Sequence, residues 1–110
     1  MRLALIVALS FLLGACASRE EIRQEQDANA RQAADCINRE AISVAPTALD
    51  LDVASATVVA RCSAYTGALR RDLTSRYPGH RDYIEPKLRE VDELYLAQAR
   101  LAVMRARQTQ

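Results

Sequence analysis

Cysteines at 16, 36 and 62 and a single histidine at 80 are the residues of this chain with the widest chemical repertoire. A redox pair would need Cys-x-x-Cys spacing, which tunes one thiol against the other, and that spacing is absent. A zinc site would need three or four ligands at short, regular intervals. His80 stands alone in the turn Tyr77-Pro78-Gly79-His80-Arg81-Asp82, with no second ligand spaced to join it. No nucleophile elbow, zinc-protease motif, phosphate loop or dinucleotide fingerprint occurs. The adjacent carboxylates Glu20/Glu21 and Asp92/Glu93 sit in polar surroundings, without the apolar pocket that raises one acid's pKa for proton transfer. The expectation is a protein that is not an enzyme, with no catalytic residues and no metal.

Cys16 has a different context. Leu3 to Leu13 is almost wholly apolar, preceded by Arg2 and followed by Gly14-Ala15-Cys16-Ala17-Ser18. As a helix, positions 3 to 17 would span roughly 22 Å, short of the ~30 Å hydrocarbon core of a bilayer. A basic start, a short apolar stretch and small residues before a cut describe a secretory signal peptide. Leu13-Gly14-Ala15-Cys16 moreover resembles the lipobox of bacterial lipoproteins. The resemblance covers residues 1 to 17 and names no subfamily. It implies that the Cys16 sulfur receives a diacylglyceryl group, that the chain is cut between Ala15 and Cys16, and that the new amino group is acylated. The covalent lipid on Cys16 is then the only cofactor-like group expected. Each buried methylene contributes about 0.8 kcal/mol, so two or three chains hold such a protein without a transmembrane helix. Within the class, a residue other than Asp after the cysteine favours export, so Ala17 points to the outer membrane, facing the periplasm. A Braun-type protein joined to peptidoglycan is disfavoured, because those end in lysine and this chain ends Arg107-Gln108-Thr109-Gln110.

Lipidation of Cys16 leaves Cys36 and Cys62 as an even pair in an oxidising compartment, where a disulfide is the expected result. Charge changes as well. The chain has 15 basic and 14 acidic residues, and losing Arg2 balances them. Zero net charge argues against a nucleic-acid binder held by bulk electrostatics. The charges fall in blocks: residues 17–52 carry 8 acidic and 4 basic groups, 53–81 carry 1 and 5, 82–93 carry 5 and 2, and 94–110 carry none and 3. Neighbouring helices of opposite sign would attract one another.

The elements that must position these residues are all helical. Apolar positions at Ala30, Ala33, Ile37, Ala41 and Val44 step by three and four until Pro46 stops them, predicting a helix over 19–44. Ser18-Arg19-Glu20-Glu21 has the form of a capping box at its start. Asp50 or Asp52 can cap a second helix, 52–77, whose stripe is Val58, Cys62, Tyr65, Leu69, Leu73 and Tyr77. Gly67 within it suggests close approach of another helix. Pro78-Gly79 ends it, Asp82 opens a third helix over 83–107, and Pro86 is tolerable only in its first turn. The third stripe is drawn as Ile84, Leu88, Val91, Leu94, Ala97, Leu101 and Met104.

Cys36 and Cys62 have their midpoint at residue 49, inside the first connection, so in an antiparallel hairpin they sit at equal heights and can bridge. The fold expected is all-α: a small antiparallel three-helix domain over 30–110 with an inter-helix disulfide, after a cleaved signal peptide (1–15) and a lipidated polar stalk (16–29). With so small an Ala-rich core, the helices could also complete their packing in a homo-oligomer.

Two features suit binding. Arg61, Arg70, Arg71, Arg76 and Arg81 gather basic charge along the second helix and the turn after it. Tyr77, His80, Arg81 and Tyr83 give the turn the Tyr and Arg content of an interaction surface. The tyrosines fit a core equally well. The function expected is a membrane-tethered binding or adaptor module for an envelope protein. Inhibition of a periplasmic enzyme through the 77–83 turn and a self-assembling structural role are the alternatives.

Overall fold

Proline and glycine punctuate the chain where its helices end: Pro46 follows the first, and Pro78-Gly79 separates the last two. The computed structural model describes the backbone of residues 2–110 and the side chains of residues 19–110. It is all-helical, with α1 Arg2–Val44, α2 Leu51–Arg61, α3 Ser63–Thr66, α4 Ala68–Arg76 and α5 Arg81–Gln108. Ala15, Cys16, the Leu13–Cys16 motif and the Ser18 cap lie outside the described side chains. Among the described residues, no helix is long and apolar enough to cross a membrane.

Asp50 caps α2, its carboxylate accepting from the Val53 N–H at 2.9 Å. Asp52 instead reaches Arg100 on α5 at 2.6 Å. One core joins α1, α2 and α5. Cys36, Ile37, Ala41 and Val44 meet Ala54 and Val58 from α2, Cys62 directly after it, and Ala99 and Val103 from α5. Tyr65 and Tyr95 pack on its rim, and burial pushes the Tyr95 phenol above its ordinary range. Among the largest fully buried side chains only Ile37, Val44, Val58, Val103 and Cys62 exceed alanine. Alanines let the helices approach closely but bury little area each. A Cys36–Cys62 disulfide crosses this core, with Cα atoms 5.9 Å apart.

The segment expected as one helix over 52–77 is three. The α-helical ladder breaks at Cys62 (φ −96°, ψ 17°) and again at Gly67 (φ −93°, ψ −2°). Buried Thr66 compensates at the first break: its hydroxyl donates to the carbonyls of Val59 and Cys62, both at 3.2 Å. At Gly67 the close approach is made by a side chain and not by another helix. A Cβ there would lie 2.8 Å from the Arg71 guanidinium and 3.0 Å from the Ser63 carbonyl. Arg71 folds back over the glycine to donate to Ser63 O and Ala64 O at 3.2 and 2.7 Å. It thereby gives Ala64 O a donor at the break, and adds a second to Ser63 O, which already accepts the Gly67 N–H at 3.0 Å.

α5 begins at Arg81 after His80, so Asp82 lies inside the helix and does not cap it. Pro86 consequently falls in the second turn, not the first. The third stripe is corrected more deeply. Ile84, Leu88, Ala99 and Val103 are the buried residues of α5, whereas Leu94, Leu101 and Met104 are exposed. The drawn stripe advances by fewer than 3.6 residues per turn, so over 84–104 it drifts roughly 160° around the helix. It starts on the core face and ends on the opposite one. Residues 16–29, expected as a stalk, are also tied in part to the fold: Asn29 donates to Tyr65 O at 3.0 Å, and Ile22 is half-buried.

Candidate functional site

Tyr77 closes α4, donating its N–H to Leu73 O at 2.9 Å, and the chain reverses through Pro78 and Gly79 into α5. The turn is held by backbone bonds from His80 N–H to Tyr77 O (3.1 Å) and from Tyr83 N–H to His80 O (3.0 Å). The His80 ring meets Tyr77 edge-on, with centroids 6.2 Å apart and planes at 84°. Tyr77 is 50% exposed and Tyr83 79% exposed. Both tyrosines therefore face out, as does His80. An exposed aromatic pair on a short turn presents apolar area to a partner.

Beside the turn lies a groove of about 380 Å³ lined by Arg70, Tyr77, Arg81, Ile84, Glu85 and Leu88, among others. Its floor is apolar, from Ile84 and Leu88, both buried. Its wall is a charge clamp. One Arg70 guanidinium nitrogen donates to both Glu85 carboxylate oxygens at 3.0 and 3.1 Å, and the other donates to Asp92 at 2.7 Å. The hydrogen bond to Asp92, then that to Glu85, raises the Arg70 pKa further above its already high range. The clamp joins α4 to α5, and two of its members, Arg70 and Glu85, line the groove. At about 38% side-chain exposure it is a surface interaction, worth on the order of 1 kcal/mol.

The five arginines do not act as one free basic patch. Arg61 pairs with Glu40 of α1 at 3.3 Å. Arg70 is held by Glu85 and Asp92, Arg71 by two carbonyls, and Arg76 by Asp72 at 2.8 Å. The charge blocks are thus partly neutralised between and within helices. Arg81 alone of the five has no ion pair or side-chain hydrogen bond among the described residues, and it lines the groove mouth. Around the turn, Tyr77, His80, Arg81 and Tyr83 share one exposed region, while Arg61 belongs to the far end of the bundle beside Glu40.

Nothing in the sequence around Arg107 marks its role. Its guanidinium donates to Ala45 O (3.1 Å), Leu49 O (2.6 Å) and Thr47 O (3.4 Å), so one side chain from α5 holds the whole α1–α2 connection. No local pattern encodes a contact between residues some 60 positions apart. Among the described residues no buried side-chain nitrogen or oxygen lacks a partner, and no group of three His, Cys, Asp or Glu converges as metal ligands. Comparison with family models, curated proteins and solved structures finds no match to this chain.

Proposed function

We propose that this chain is a non-enzymatic envelope lipoprotein: a disulfide-linked helical binding module, tethered to the outer membrane through lipid on Cys16, that holds a partner protein at the 77–83 turn. The observation carrying the reading is the Cys36–Cys62 disulfide. A disulfide is the pairing expected in an oxidising compartment, which supports export; it uses two of three cysteines and leaves Cys16, directly behind Leu13-Gly14-Ala15, for a different role. The exposed Tyr77 and Tyr83 beside an apolar-floored groove with Arg81 at its mouth support a protein partner over a small charged ligand. The same exposed turn supports a second reading, insertion into a periplasmic enzyme as an inhibitor.

Two measurements test this. Intact mass of the membrane-extracted protein should show cleavage before Cys16 and an added diacylglyceryl group; an unmodified Cys16 or a retained Met1 refutes the tether. Cross-linking in the native envelope should recover a single partner protein with the wild-type chain and lose it with Tyr77→Ala or Arg81→Glu. Recovery unchanged by both variants refutes the turn as the binding surface. The identity of the partner, enzyme or assembly component, separates inhibitor from adaptor.

A further inference from the structure

α5 carries two apolar faces, and among the described residues only one is buried against neighbours. The inner face, Ile84, Leu88, Ala99 and Val103, is buried. On the opposite side Leu94 is 66%, Leu101 52% and Met104 41% exposed, and Ala97 between them is exposed too. The steps 94, 97, 101 and 104 are three, four and three residues, the spacing of a coiled-coil seam. At about 100° per residue all four lie within roughly 80° of the helix circumference.

Charge along this face is asymmetric. Glu90 and Glu93 flank its N-terminal end and Arg105 flanks its C-terminal end; all three are exposed, and none enters an ion pair among the described residues. Across 82–93 there are five acidic groups and two basic, and across 94–110 three basic and no acidic. A second copy laid parallel would set Glu90 beside Glu90 and Arg105 beside Arg105. Laid antiparallel, it sets the acidic end of each helix on the basic end of the other.

We infer that the outer face of α5 is a homodimer surface, with two copies pairing antiparallel about a two-fold axis near residue 99. In that register Leu94 meets Met104 of the second copy and Ala97 meets Leu101. Glu90 lies within reach of the other copy's Arg105. Ala97, the small residue nearest the axis, lets the helices approach closely, and an isologous contact closes at two copies without propagating. The surface is separate from the 77–83 turn, so the inference does not rest on the proposed function.

Within one copy Glu90 and Arg105 are 15 residues apart on one helix, roughly 22 Å, and do not interact. A charge swap therefore reads only the contact between copies. The full chain, purified in a mild non-ionic detergent, is examined by sedimentation equilibrium over a wide concentration range. The wild type should associate reversibly to a dimer. Glu90→Arg and Arg105→Glu should each weaken the dimer roughly tenfold. The double variant should return to within about threefold of wild type. Leu101→Glu should remain monomeric, with helical circular dichroism and the disulfide intact. A wild-type monomer at every concentration overturns the inference. So does a dimer indifferent to Leu101→Glu, or one that the double swap fails to restore.

Discussion

Breaking the Cys36–Cys62 bridge should cost this domain much of its stability. The cysteines are 26 positions apart, and closing a loop of that length in the unfolded chain contributes about 3.5 kcal/mol. Few large side chains stand around it: beyond Ile37, Val44, Val58 and Val103, the other buried members of its cluster are Ala41, Ala54 and Ala99. The bridge also sits where α2 ends, so reduction releases α1 from the start of the broken 62–67 segment. For a folded unit of this size 1 kcal/mol moves Tm by about 4–8 °C, so reduction should lower it by roughly 14–28 °C. Cys62 is 1% and Cys36 6% exposed, so the bridge should be reduced in denaturant and the chain refolded under reductant. Urea unfolding of the oxidised and reduced forms then measures the difference without removing an atom. The reduced form should show a lower midpoint and a steeper dependence on urea, because its unfolded chain is more expanded. Midpoints corresponding to less than about 1 kcal/mol would refute the reasoning, placing the stability in side-chain packing and not in the cross-link.

The two faces of α5 should respond oppositely to truncation. Leu88→Ala removes a side chain only 2% exposed and should cost about 2–5 kcal/mol, whereas Leu101→Ala should change the stability of the monomer by no more than about 0.5 kcal/mol; equal costs in urea unfolding would restore the straight stripe. Arg107→Ala should cost about 1–2 kcal/mol by freeing the carbonyls of the α1–α2 connection. Arg107→Lys should recover less than half of that in the same assay, since an ammonium cannot serve Ala45 O and Leu49 O together.

How much could be read in advance follows from the range of each interaction. The helical class and helix ends at Pro46 and Pro78 rest on local steric rules, and so does the Asp50 cap; these appear directly in the order of residues. The disulfide was legible because parity and a midpoint in a turn are properties of the chain's linear order. The candidate turn was legible in composition, but its exposure was not, since Tyr77, His80 and Tyr83 would suit a core as well as a surface. Arg71 looked like a binding residue because its sequence carries charge but not the backbone break that it covers.

The amino-acid order by itself determined that this chain is helical, that helices stop before Pro46 and Pro78, and which cysteines could meet, because those depend on dihedral preference and spacing within a few turns. Tertiary structure decided which side of α5 faces the core, that the middle helix breaks at Cys62 and Gly67, and which arginines are engaged. The α5 sequence offers two apolar faces of similar strength, and only packing against Ile37, Val44 and Val58 selects between them. The partners of Arg61, Arg70 and Arg100 are set by what the neighbouring helix brings within a few ångströms, at separations of 15 to 48 residues along the chain.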